Sequence, residues 1–148
     1  MLSNACQYAI RSVLYLAIYG DENKKLGAKS IAEDLEVPQP FLAKLLQKLS
    51  KKHLISSLKG PKGGFYLSKK DRLNSIFQII ECIDGTENFS ACFLGLKQCS
   101  DTNPCPVHFT VSPFKQKLMQ DFKEKNIEQF AKEIKEQENI TIKNINLI

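Results

Sequence analysis

A chain of 148 residues, 43% hydrophobic and 25% charged, has room for one or two small globular domains and is not a disordered polymer. No apolar run reaches ~18 residues, so no transmembrane span is expected; the nearest stretch, Val13 to Tyr19, is too short. The net charge of +5 is uneven: residues 1–72 hold 13 Lys and Arg against 6 Asp and Glu, a net of +7, which suggests a polyanion partner such as nucleic acid or else a plain solvated lysine surface.

Ala5, Cys6, Ala9, Ile10, Val13, Leu14, Ala17 and Ile18 recur at helical spacing and predict a first helix from about Ser3 to Tyr19. Gly20-Asp21-Glu22-Asn23 ends it as a polar turn. Cys6 lies on the apolar face and reads as a small core residue. Ile31, Ala32 and Leu35 predict a short amphipathic helix from about Ala28. Val37-Pro38-Gln39-Pro40 interrupts it, and because proline suits a first turn, a new helix starts near Gln39 or Pro40. Phe41, Leu42, Leu45, Leu46 and Leu49 share one of its faces; Ala43, Lys44, Gln47, Lys48 and Lys51 share the other. The pair reads as helix-turn-helix, without a glycine in the turn to reinforce it. His53, after that helix, reads as a surface or helix-end residue.

Leu54 to Lys59 and Phe65 to Ser68 flank Gly60-Pro61-Lys62-Gly63-Gly64 and predict a β-hairpin. Directly after a recognition-type helix, such a hairpin is a wing, with Lys59 and Lys62 near its tip to meet phosphate. Ile76, Phe77, Ile79, Ile80 and Ile83 predict a further helix from about Leu73 to Asp84, stopped by Gly85, with Cys82 packing beside its stripe.

The next segment, bounded by Asp84-Gly85 and Ser112-Pro113, has no convincing period and contains Cys92, Cys99, Cys105 and His108. A structureless loop this long is commonly functional. Three thiols and an imidazole make four soft ligands, a full shell for one tetrahedral metal such as zinc or for a small iron–sulfur cluster. The N-terminus lacks a signal-peptide layout, so a cytoplasmic, reducing compartment is expected, where clustered cysteines favour metal or redox work over disulfides. Ser112-Pro113 then reads as an N-cap with proline at the first helical position, opening a helix with Phe114, Leu118, Met119 and Phe122 on one stripe. Asn126 interrupts or re-caps it; Ile127, Phe130, Ala131 and Ile134 continue. That stripe needs a partner, and a second copy of the chain is the simplest. The expected division is a winged helix-turn-helix domain over 1–84, a cysteine-rich loop over 85–111, a dimerisation helix region over 112–137 and a polar tail over 138–148. The fold class is mainly α with a small β-hairpin wing.

This order of elements resembles the IscR family of winged-helix regulators, which are iron–sulfur transcription factors and their nitric-oxide-sensing and cysteine-metabolism relatives. The resemblance covers about residues 1–135. It is carried by Tyr8-Ala9, by Phe41-Leu42 and Leu45 to Leu49, by the wing Lys59-Gly60-Pro61-Lys62-Gly63-Gly64-Phe65-Tyr66-Leu67, and by Cys92, Cys99, Cys105 and His108. It implies a homodimer on palindromic operator DNA and a cluster in each protomer's loop whose state alters DNA binding. The expected cofactor is a [2Fe–2S] cluster held by Cys92, Cys99, Cys105 and His108; a [4Fe–4S] cluster, zinc, or a cluster-free thiol switch are the alternatives. Cys6 or Gln7 of a second copy's first helix rivals His108 as fourth ligand. Gln39, Lys44, Gln47, Lys48 and Lys51 on the helix, with Lys59 and Lys62 on the wing, are the expected DNA contacts. Phe114, Leu118, Met119 and Phe122 are the expected dimer seam, and iron–sulfur assembly machinery is a candidate partner.

The chain departs from the family at a first cysteine gap of six residues where five is common. It also has Pro40 and Ala43 at positions polar in the best-known members, and Lys59 where the wing often carries Arg. The operator sequence therefore does not carry over. No nucleophile–base pair or cofactor loop stands out, so an enzyme is not expected. The competing function is an iron–sulfur carrier in which the helix-turn-helix is only packing.

Overall fold

The Ser3 hydroxyl accepts the Cys6 N–H at 3.0 Å, satisfying a first-turn donor that a helix cannot satisfy itself. In the computed structural model, which describes residues 2–137 and 139–143, it opens α1 (Asn4–Tyr19). Cys6, Ala9, Val13, Leu16 and Ala17 are buried along the predicted stripe. Then come α2 (Ala28–Leu35) and α3 (Gln39–Lys51), with the bounds read from the prolines and the apolar spacing. The turn between them manages without glycine because Glu36 itself adopts the left-handed conformation, φ 56°, and closes α2 through its N–H. Leu42, Leu46 and Leu49 of α3 are fully buried where it packs on α1 and α2. Each such side chain stabilises the fold by about 1.5–3 kcal/mol.

The wing is shorter than its sequence suggests. β1 (Ser56–Leu58) and β2 (Gly64–Tyr66) pair antiparallel, with Ser57 opposite Phe65. Leu54, Ile55 and Leu67, read as strand residues, turn into the core instead. Phe65 also exchanges backbone hydrogen bonds with Leu26, at 2.8 and 2.9 Å, which ties the hairpin to the segment before α2. Close backbone approach explains the glycine pair: a Cβ on Gly63 would sit 2.0 Å from the Leu58 carbonyl oxygen, and one on Gly64 2.8 Å from that of Leu26.

A 3-10 turn over Asp71–Leu73 precedes α4 (Ile76–Ile83), so the helix predicted from Leu73 starts later. The reason is a capping box: Ser75 and Gln78 satisfy each other's backbone N–H groups. The cysteine loop is not wholly irregular, since α5 (Glu87–Ser90) buries Phe89 against the core. The largest departure is α6 (His108–Glu124). It starts four residues before the predicted Ser112 cap, and Pro113 lies inside it. The turn Cys105-Pro106-Val107 launches it, with the His108 N–H on the Cys105 carbonyl at 3.0 Å. Proline removes one intrahelical bond there, on an exposed position where water can satisfy the freed carbonyl.

Asn126 re-caps the chain, forming a second capping box with Gln129, and α7 (Ile127–Glu136) returns to pack on α1 with Ile127 and Ala131 buried. The stripe on α6 also has a partner within the chain: Leu118, Met119 and Phe122 lie half-buried against the core, and α6 packs on α4. Phe114 remains 60% exposed. Of the tail expected over 138–148, residues 138 and 144–148 lie outside the described ones. Arg11 Nε donates to the Ile142 carbonyl at 2.8 Å, holding the described part against α1.

Candidate metal centre and nucleic-acid interface

Cys92, Cys99 and Cys105 come from three turns of the loop between α5 and α6, yet their sulfurs all lie within 4.8 Å of one another. Thiolates bound tetrahedrally at ~2.3 Å from one ion stand about 3.8 Å apart, so rotamer-scale adjustment suffices to close them on a metal. Cys105 is buried, and the other two are half-buried. His108, the first residue of α6, points its Nδ1 at Cys99 Sγ, 3.2 Å away. The ring's other nitrogen, Nε2, is 2.7 Å from Asp101 Oδ1. A cavity of about 250 Å³ opens among these groups, floored by Phe89 and Met119 and edged by Lys115, whose ammonium donates to the Ala91 carbonyl. The three thiols stand close enough together to hold a metal ion; His108 lies beside one of them, Cys99, and is not part of that close group.

Backbone N–H groups of Leu96 and Leu94 favour the Cys92 thiolate, which is lowered to about 7 against burial, with the Cys99 and Cys105 thiols adding to the effect. The Cys99 thiol moves upward. The Cys105 N–H favours its thiolate, but burial and the neighbouring thiols outweigh that bond. Cysteine binds a metal as the thiolate, so metal uptake here should release protons. The other two cysteines lie outside this group of three. Cys6 is fully buried and its thiol is pushed up to about 12, by burial first and then by Asp84 and Cys82; Cys82 is also raised by burial.

Gln39, Lys44, Gln47, Lys48 and Lys51 are all exposed along α3, and Lys59 and Lys62 are exposed on the wing. A cleft of about 520 Å³ separates the end of α3 from the hairpin, with Gln47, Lys51 and Lys59 on its walls. His53 sits just past the C-cap of α3 with φ 58°, an exposed helix-end residue. Two residues of the centre escaped the sequence reading. Lys115 is seven positions after His108 and so shares its helix face, a signal hidden by the misplaced start of α6. Asp101 sits in a Ser-Asp-Thr-Asn turn between two cysteines, where an acidic residue reads as an ordinary turn former.

The family described as Rrf2, iron-dependent transcriptional regulator, matches residues 2–133. A provisionally named HTH-type transcriptional regulator of Aquifex aeolicus is 35% identical over 125 residues, covering 83% of this chain and 85% of that protein. The NsrR regulator of Bacillus licheniformis is 28% identical over 96 residues, 65% of this chain; the chain spans 66% of its length. The solved structure of T. potens IscR superposes with a TM-score of 0.70 at 20% identity, covering 95% of this chain and 92% of that one. That likeness establishes the winged-helix fold. Among the described residues, no helix is long and apolar enough to cross a membrane.

Proposed function

The chain belongs to the Rrf2 family of iron-dependent transcriptional regulators, and from that premise we propose that it is a cytoplasmic homodimeric repressor whose operator affinity is set by a redox-sensing [2Fe–2S] cluster on Cys92, Cys99, Cys105 and His108. Regulators of this family bind DNA and are not enzymes. The observation that carries the reading is the convergence of three sulfurs within 4.8 Å, beside an imidazole, on the same chain as a lysine-faced helix and wing. Two irons sharing two sulfides need four protein ligands, and the loop offers four. When bound, such a cluster supplies a one-electron redox change at the start of α6. A zinc or thiol-only switch is the alternative, because the same donor set suits zinc.

In this reading Gln39 and Lys44, near the start of α3, meet base edges, while Gln47, Lys48, Lys51, Lys59 and Lys62 meet phosphates. Phe114, with Leu118, Met119 and Phe122 behind it, lies at a two-fold seam, and the paired α3 helices address major grooves about 34 Å apart. Residues 1–84 form the DNA-binding part, 85–111 the sensor and 112–137 the dimerisation region, and assembly machinery would load the cluster. The test combines anaerobic reconstitution, absorbance and gel shifts on genomic fragments. Operator affinity should fall steeply with salt and differ between loaded and metal-free protein. Lys48→Ala should weaken all fragments alike, and Gln39→Ala should change the preference among them. Salt-independent affinity, affinity indifferent to loading, or a monomer at micromolar concentration each contradicts the proposal.

A further inference from the structure

Asp101 has no part in the donor set, yet the chain is folded to present it. Ser100 and Asn103 exchange backbone hydrogen bonds at 3.2 and 3.1 Å, and Asn103 Nδ2 donates to the Gln98 carbonyl at 2.7 Å. This closed turn places Asp101 beside His108 on the water side, its side chain 85% exposed while that of His108 is 14% exposed. The two ring nitrogens have different neighbours: Nε2 is 2.7 Å from the carboxylate, and Nδ1 is 3.2 Å from Cys99 Sγ. A neutral imidazole carries one N–H. Were it on Nδ1, two lone pairs would face each other across 2.7 Å, so the proton belongs on Nε2 and the Nδ1 lone pair faces Cys99 Sγ.

We infer that Asp101 is a positioning residue of the metal centre, holding His108 as the Nε2–H tautomer with Nδ1 turned toward the cysteine group at Cys99. The inference rests on the metal-binding reading above. A carboxylate behind a ligating imidazole fixes the ring and strengthens it as a donor, and losing such a partner typically costs 10–100-fold in metal affinity. The roles are complementary: the thiols supply charge, and Asp101 decides which nitrogen is offered.

The chain has two histidines, His53 and His108, so ring nitrogens are easily assigned by long-range proton–nitrogen NMR. Metal-free protein should show His108 as one Nε2–H tautomer, and Asp101→Ala should show a mixture. After anaerobic reconstitution with ferrous iron and sulfide, Asp101→Ala should lose the centre to a chelator about 10–100-fold more readily. Asp101→Asn, whose carbonyl still accepts the Nε2–H, should retain most of it. The deciding comparison uses His108→Cys, where there is no tautomer to hold and adding Asp101→Ala should change nothing. Equal loss in both backgrounds would mean that Asp101 merely shapes the turn, and an unchanged tautomer and retention in Asp101→Ala also overturns the inference. Wild-type protein that takes up neither iron–sulfur nor cobalt(II) overturns the metal-binding reading and this inference together, whereas uptake with an indifferent Asp101 overturns the inference alone.

Discussion

Asp71 is a buried carboxylate, 6% exposed, that accepts the Ser56 hydroxyl at 2.6 Å and the Ser68 N–H at 2.9 Å. Ser56 opens β1 and Ser68 follows β2, so one side chain pins both legs of the wing. Asp71→Ala leaves two donors without their acceptor in a partly dry site, an expected cost of about 1–3 kcal/mol. Urea denaturation should show that loss, with operator affinity falling further than that of Lys62→Ala because the whole hairpin loosens. Unchanged stability would contradict the pinning role. Thiol chemistry separates the cysteines at the same scale. Only the thiolate attacks an alkylating agent. In metal-free protein at about pH 8, Cys92, lowered to about 7 by the Leu96 N–H, should label first, and buried Cys6, pushed up to about 12, should label last. Mass spectrometry after timed iodoacetamide exposure reads the order, and early labelling of Cys6 would contradict it.

At the scale of elements, α1 ends without a basic residue in its last turn, and Arg72 supplies one from elsewhere. Its guanidinium donates to the Ala17 carbonyl at 3.1 Å, to the Gly20 carbonyl at 3.2 Å and to Glu128 Oε2, on α7, at 2.7 Å. Half-exposed Glu128 contributes at most about 1 kcal/mol as an ion pair. The two carbonyls and the helix dipole add to it, so Arg72→Ala should cost about 1–2 kcal/mol, and Arg72→Lys, lacking the planar fork, should recover only part. A urea midpoint unmoved in Arg72→Ala would contradict this. None of this was legible in the sequence, where Arg72 is one charge in a polar stretch. The helices that rest on apolar periodicity, α1 to α3, were legible because local spacing and proline placement agree with the tertiary fold. The start of α6 was not. Ser112-Pro113 is a strong local cap signal, but the turn at Cys105-Pro106-Val107 and the packing of Phe89 and Met119 around the thiols override it. The candidate ligands were legible as a spacing of residue types. Their convergence, and the carboxylate behind the imidazole, depend on turns that carry no periodic signal.

Over the whole molecule, the stretch from Asp71 to Ser75 ties together parts that are otherwise far apart in the chain. Asp71 holds the wing, and Arg72 holds α1 and α7. Asn74 donates through its side chain to the Leu54 carbonyl at 3.1 Å and receives the Ile127 N–H on its own carbonyl at 2.9 Å. Ser75 caps α4 and bridges to Asn126. Connectors usually accept extra residues freely, since little depends on their length. Here one added residue shifts everything beyond it by ~3.3–3.6 Å, enough to break these bonds in concert. A scan of single-glycine insertions scored by soluble yield should therefore find its deepest minimum between Asp71 and Ser75. An insertion between Pro61 and Lys62, at the exposed wing tip, should be harmless to yield. The segment that looks most like spacer would then be the one whose length is least free to vary.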